Sequence, residues 1–251
     1  MDPAGQRGSF PDRQSGSLSP MIRHRIDQIL SRHGYCSRGE SRGWLKAGRV
    51  RIGDRIAGDP SEKVAISDLR IDGEPVDHPE GILVMLHKPA GLVCSHDERE
   101  GPNIYSLLPE RWLRRNPPVT SVGRLDKDTT GLLLVTDQGP LVQRWTSPRH
   151  KVVKRYEATV DRDLDPDLVP LFASGTLRLP DDPEPCLPAT LTLTGDRTAS
   201  LELVEGRFHQ VRRMFACRGF RVVSLHRSRF GQLELGSLAA GEWTPIEAGA
   251  I

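Results

Sequence analysis

Residues 122–139, VGRLDKDTTGLLLVTDQG, decide how this chain is read. Gly123 and Arg124 start a turn, and two acids (Asp126, Asp128) and two threonines follow. An apolar run at 132–135 comes next, and Asp137 to Gly139 closes it with turn chemistry. The run predicts a short buried strand, so the polar residues occupy the loop at its entrance, a place where a rigid scaffold carries reactive groups. Two readings of that loop compete. Asp126-x-Asp128-x-Thr130 is the pattern of phosphatases that form an aspartyl phosphate, whereas Gly-Arg-Leu-Asp makes Asp126 alone the catalytic carboxylate. The phosphatase pattern needs an apolar strand ahead of its aspartate. Here 120–124 is not apolar and the run comes after, so the order favours the single carboxylate.

Composition sets the frame around that loop. A chain of 251 residues, 37% apolar and 27% charged, can bury a sizeable core, here expected in two units. No apolar run approaches the roughly 18–20 residues of a membrane span, so no membrane partner is expected. Residues 1–20 lack an apolar core and are rich in Gly, Pro, Ser and mixed charge, which predicts a disordered leader rather than a secretory signal. Cys36, Cys94, Cys186 and Cys217 are far apart with no C-x-x-C pair, as expected of thiols in a reducing cytoplasm.

The net charge of +2 hides an asymmetry. Residues 21–60 hold nine Lys/Arg against four Asp/Glu, and residues 61–82 hold two against six. Blocks of opposite sign point to a basic face directed at a polyanion. Ile22, Ile26, Ile29 and Leu30 recur at helical spacing, and that helix stops near Gly34. Ser37-Arg38-Gly39-Glu40 is a capping box opening a second helix that runs to about Ala47, with Gly48 as its stop. Arg38, Arg42 and Lys46 are four apart and line one face, which Arg49 and Arg51 extend into an alternating strand at 49–52. Such an ordered row suits a phosphate backbone. Residues 77–81, with Pro79 and Gly81, form the expected linker.

Beyond it, strands are expected at 82–86, 92–95, 132–135, 154–160, 190–193, 200–204 and 221–229, and helices at 104–113, 141–146 and 164–173. Many short strands with few helices predict an α+β unit around an antiparallel sheet. Tyr156 shares a strand face with Ala158 and Val160. On a helical wheel, residues 205–215 put Phe208, Val211, Met214 and Phe215 on the apolar side. Arg212 then lies at the edge of that side and needs an acidic partner, while Arg213 points outward as a phosphate-facing charge.

Residues 23–79, which include RIDQILSRHGYCSRGESRGWLKAGRVRI, resemble the S4 RNA-binding domain. HKPAGLVCS at 87–95, the 122–139 stretch, TSPRHKVVKRY at 146–156 and EGRFHQVRRMFACRGFRVVSLHR at 205–227 resemble, in that order, the RsuA-type pseudouridine synthases. The resemblance implies an S4 domain over 21–80 and a catalytic domain over 81–251, the latter a mixed, mainly antiparallel sheet with flanking helices. It implies isomerisation of uridine to pseudouridine in ribosomal RNA on a flipped-out base. SPRH before the K-x-Y strand and Pro188-Ala189 lean toward the 16S RNA of the small subunit, with large-subunit RNA as the alternative.

By the same resemblance Asp126 is the catalytic carboxylate, Arg212 the cation that keeps it ionised, and Tyr156 an aromatic face and hydroxyl for the base. Asp126 can attack C1′ or C6, or remove the C2′ proton; residue type leaves all three open. Arg124, Arg149 and Arg213 form the expected basic surface around the extruded nucleotide. The reaction involves no redox change and no net group transfer, so no cofactor is expected. Asp128 is expected to hydrogen-bond its own loop, and His87 and His209 to be structural hydrogen-bonders, with no metal site. Phe208 departs from the tyrosine the family often carries there and lacks its hydroxyl. The expected partner is ribosomal RNA or an assembly intermediate, met by a monomer in the cytoplasm. A non-catalytic S4 protein would keep Arg38, Arg42 and Lys46 but have no need of Asp126, Tyr156 and Arg212 together.

Overall fold

Ser37 and Glu40 exchange hydrogen bonds as the capping box requires, Glu40 Oε2 accepting from the Ser37 amide at 2.8 Å and Ser37 Oγ from the Glu40 amide at 3.3 Å. The computed structural model describes residues 22–250, so the expectation for 1–20 lies outside the described residues. The box closes a turn rather than a helix. α1 (Ile26–Arg32) is followed by α2 (Ser41–Lys46), so Arg38 precedes the second helix while Arg42 and Lys46 lie within it. Ile22 falls outside α1 and is 74% exposed. The reason is β1 (Arg23–Arg25), which draws the chain into an antiparallel pair with β4 (Lys63–Ala65). β2 (Val50–Ile52), β3 (Arg55–Ile56), β5 (Leu69–Ile71) and β6 (Glu74–Pro75) pair in the order β3-β2-β5-β6. Ile26, Leu30, Leu45, Val50 and Leu69 make a small core of their own.

The larger sheet contains β7 (Leu83–Lys88), β8 (Thr120–Ser121), β9 (Thr130–Thr136), β10 (Lys154–Val160), β11 (Thr190–Gly195), β12 (Thr198–Leu203), β13 (Val222–Phe230), β14 (Leu233–Glu234) and β15 (Trp243–Pro245). Its order is β11-β12-β10-β13-β9-β7-β15, with β14 on β13 and β8 on β9. Every pairing is antiparallel except β13 with β9. The sheet is covered on both faces. Leu133 and Val135 of β9 join one core, and Leu132 and Leu134 join the other. A strand buried on both sides has no polar alternation, hence the unbroken apolar run. On β10, Tyr156, Ala158 and Val160 do share one buried face.

The parallel pair β9–β13 needs one residue in particular. Gly131 lies opposite Arg227 with φ +110°, and a Cβ there would come within 2.3 Å of the Arg227 carbonyl oxygen. Only glycine allows that backbone approach. Helices flank the sheet: α3 (Glu110–Leu113), α4 (Gly139–Thr146), α5 (Leu168–Ala173) and α6 (Gln210–Ala216). The helix expected over 104–113 divides into a 3-10 turn, Ile104–Leu107, and α3. Pro109 disfavours a helical conformation for Leu108 and supplies no amide to continue one. Residues 92–95 do not form a strand; Val93 makes a single bridge to Asn103. Among the described residues no helix is long and apolar enough to cross a membrane.

Residues 77–81 are anchored at several points. Arg115, 3% exposed, donates to the carbonyls of Asp77 and His78 at 3.1 Å and to the Asp137 carboxylate at 2.7 Å. Trp112 Nε1 donates to Asp77 at 2.8 Å, and Arg111 pairs with the same carboxylate at 2.7 Å. Burial pushes the Asp77 carboxyl up, but those hydrogen bonds outweigh it and leave the pKa below the ordinary value. Gly34, at φ +74°, lies so close to α3 that a Cβ would be 2.2 Å from the Arg111 carbonyl oxygen. The smaller unit is therefore docked on α3, with Asn116 N–H donating to the Arg32 carbonyl at 3.1 Å.

Candidate active site

The loop ahead of β9 is pinned from beneath. Lys88 ends β7 fully buried, and its ammonium donates to the carbonyls of Pro89, Lys127 and Thr129 at 3.0, 3.0 and 2.9 Å. Burial lowers its pKa, and the nearby acids Asp126 and Asp128 oppose that. The Gly91 amide also donates to the Lys127 carbonyl at 2.9 Å, and the Leu125 amide meets Cys94 Sγ at 3.5 Å. Inside the loop the Thr129 amide closes back on the Asp126 carbonyl at 3.0 Å. A loop held at this many backbone points presents its one inward carboxylate in a fixed place.

That carboxylate belongs to Asp126, half-buried with 31% of its side chain exposed. Arg212 Nε lies 3.6 Å from one of its oxygens and His209 Nε2 lies 3.4 Å from the other. Arg212 also donates to the Val222 carbonyl at 3.0 Å, which ties α6 to β13 and aims the guanidinium. Tyr156 lines the same cavity, of about 90 Å³, and its hydroxyl accepts from Arg227 Nη1 at 3.4 Å. A wider groove of about 430 Å³ adjoins it, and Arg124, exposed, lines both. A guanidinium and an imidazole at the two oxygens of a carboxylate, with an aromatic ring in the same cavity, suit an anionic group working on a planar ring.

The other expected positions fare differently. Asp128 is exposed and lines neither cavity at Asp126. Arg149 is exposed, in the Pro148–His150 turn, and lines neither cavity at Asp126. Arg213 is used inside the domain, contrary to the phosphate-facing expectation. It pairs with Asp182 at 3.2 Å and donates to the Phe208 and Pro180 carbonyls. Arg38, Arg42 and Lys46 are exposed on the smaller unit. Arg49, expected to extend their row, instead pairs with Asp72 at 2.6 Å and lies over the Trp44 ring at 3.5 Å. His87 does serve as a structural hydrogen-bonder, with Nδ1 2.7 Å from the Leu238 carbonyl. Among the described residues no group of three His, Cys, Asp or Glu is placed to hold a metal.

Three residues of the site escaped the sequence reading. His209 was assigned to structure, yet it faces Asp126; its φ of +47° sets it just ahead of α6, off the helical wheel on which 205–215 was placed. The same shift takes Phe208 out of the helix and off the apolar side, leaving it 68% exposed. Arg227 was expected among basic residues ending a strand. It is 2% exposed inside β13, in register with Tyr156, and donates to the Leu132 carbonyl at 2.8 Å. The available signals were Lys88 at the end of an apolar run and the mid-strand position of Arg227.

Against this geometry the similarities to known proteins are consistent. The description "RNA pseudouridylate synthase" belongs to the family model that matches residues 82–217, and an S4 domain model matches residues 24–69. The ribosomal small subunit pseudouridine synthase A of Pasteurella multocida is 36% identical over 230 residues, 90% of this chain and 97% of that protein. Its counterpart from Yersinia pestis is 38% identical over 225 residues, 88% of this chain and 94% of that protein. A solved structure described as a pseudouridylate synthase superposes with a TM-score of 0.63 at 34% identity, covering 90% of this chain and 96% of that one. With its S4 domain ahead of the catalytic sheet, this chain belongs to the family of RNA pseudouridylate synthases.

Proposed function

We propose that this protein isomerises one uridine of 16S ribosomal RNA, free or in an assembling small subunit, acting as a monomer in the cytoplasm. The observation that carries the reading is Asp126, held between Arg212 and His209 in a cavity that Tyr156 also lines. Pseudouridine formation breaks C1′–N1 and joins C1′ to C5; the C5 proton leaves and N1 gains one. Asp126, with Arg212 and His209 beside its carboxylate, acts as nucleophile or base on the extruded nucleotide. Arg212 orients it and offsets its charge. Tyr156 offers the ring that the uracil meets, and Arg227 fixes the Tyr156 hydroxyl. Arg124 at the mouth takes a backbone phosphate. The small-subunit target is supported by the relatives' names, and the division at residues 80 and 81 by the separate core of the smaller unit. Arg38, Arg42 and Lys46 are read as phosphate contacts, whereas Arg149 and Arg213 lose that role.

The test is pseudouridine mapping across ribosomal RNA from a strain lacking this gene, complemented with wild type or Asp126→Asn. One 16S uridine should be restored by wild type only, with the variant at least ~10³-fold slower on purified RNA while binding it equally. Restoration by Asp126→Asn would remove Asp126 from the chemistry.

A further inference from the structure

Phe208 is a large apolar side chain left 68% exposed, and it lines the groove beside Asp126 rather than a remote surface. Its ring stacks on His209, with centroids 3.8 Å apart and planes at 22°. His209 in turn places Nε2 3.4 Å from the Asp126 carboxylate. Two rings thus stand in series outward from the reacting carboxylate, and the outer one keeps most of its surface in solvent. The backbone beneath them is fixed. His209 adopts φ +47°, and the Phe208 carbonyl accepts from Arg213 Nη1 at 3.2 Å. Arg207, next in the chain, donates to the carbonyls of Glu184 and Pro185, both at 2.6 Å. Single exposed apolar side chains are common, so what sets Phe208 apart is its place: a constrained segment on the groove beside Asp126.

The groove says what covers it. Arg124 and Lys127, both exposed, line it, beside Arg207, which is held by Glu205 and Asp182; its acids are Asp126 and Glu100, the latter accepting from Ser95 Oγ at 2.8 Å. A basic channel with one free aromatic face is the arrangement that receives a single-stranded nucleotide, phosphate on the cations and base on the ring. The uracil being isomerised must reach the inner cavity that Asp126 and Tyr156 line, which His209 lines and Phe208 does not. The ring outside His209 therefore meets a different base.

We propose that Phe208 is a stacking platform for the nucleobase flanking the target uridine, replacing the stacking which that neighbour loses when the uridine is extruded. The inference rests on the uridine-isomerase reading and adds a subsite to it. Phe208 is a positioning residue: it touches RNA, not the reacting atoms. Stacking tolerates any base, so the subsite holds the strand open without selecting sequence.

The test uses unmodified 16S transcript with tritium at uridine C5, because the reaction releases that atom to water. Single-turnover release is followed with F208A, F208L, F208Y and F208W. Loss of the ring should slow release at limiting enzyme by ~10–100-fold in F208A and F208L, with F208Y and F208W near wild type. Thermal melting should be unchanged in all four, since the side chain is exposed. In a second measurement 2-aminopurine replaces each neighbour of the mapped uridine in a stem-loop, bound by protein carrying Asp126→Asn. Its fluorescence should be quenched at one neighbour with Phe208 present and not with F208A added. F208L matching wild type, or quenching that survives F208A, would overturn the platform. A wild-type protein that releases no tritium from any ribosomal RNA would instead overturn the enzymatic reading on which it rests.

Discussion

The cations of the two units are used in opposite ways. On the S4 unit Arg42 and Lys46 project from α2 into water, with Arg38 exposed on the turn before it. In the catalytic unit Lys88, Arg115 and Arg227 are 0%, 3% and 2% exposed and are tied to carbonyls or a carboxylate. A solvated cation is screened and contributes little to its own fold, yet it is free to meet a polyanion. A buried cation has no such freedom; it fixes whatever satisfies it. The basic charge is thus divided between cations left solvated, open to a polyanion, and cations that hold the site rigid, and burial decides which.

The sharpest way to break the comparison is at the junction. Arg115→Met should leave Asp137 buried without its partner and cost ~3–5 kcal/mol of stability in denaturant unfolding. Adding Asp137→Leu should recover part of it, with the Ile82 amide, which donates to Asp137 at 2.7 Å, left unsatisfied. A loss under ~1 kcal/mol would mean the buried cations are ornaments of the fold rather than its fasteners.

The next effect is acid sensitivity at the same junction. His33 is 2% exposed, and burial first, then Arg115 and Arg32, lower its pKa to about 4, against Asp137 and Asp77. The unfolded chain therefore takes up a proton near pH 6.5 that the folded chain refuses until about pH 4. Stability is lost as pH falls through that window. Relative to His33→Gln, wild type should lose ~1–3 kcal/mol between those limits, read from urea unfolding across pH. A difference constant with pH would show that His33 titrates normally.

The smallest effect on the fold is expected at the exposed row. Removing the charges of Arg38, Arg42 and Lys46 should change stability by less than ~0.5 kcal/mol. The salt dependence of RNA binding should flatten by ~0.7–0.9 log units for each phosphate no longer neutralised. Single-turnover chemistry on bound RNA should stay near wild type. An unchanged salt slope with a collapsed chemical rate would place these residues on the base-positioning side of the division.

Legibility followed the range of the interaction. The strand over 154–160, with Tyr156 on its buried face, follows from alternation, a local property. The capping box is equally local, and it formed. The helix it starts forms as well, but from Ser41, after the turn that the box closes, because sequence gives the bond pair and not the turn's pitch. Leu92 to Ser95 has strand composition, but in the structure only Val93 finds a bridge partner, so the strand is absent.

By itself the sequence singled out Asp126: it precedes an apolar run, and order along the chain favoured the single carboxylate over the phosphatase pattern. It also determined the α+β class and the basic character of the S4 unit, since composition and periodicity need no partner to be seen. Only the tertiary structure decided which cations stay in solvent and which serve the fold. Arg213 and Arg49 read as phosphate ligands until Asp182 and Asp72 came within 3.2 and 2.6 Å of them. Arg227 reads only as one of the basic residues of the 221–229 strand until β13 brings it against Tyr156, and His209 as a helix residue until a left-handed backbone turns it to Asp126. A charge's role depends on its solvation and on partners far along the chain, and both are fixed only when the chain closes on itself.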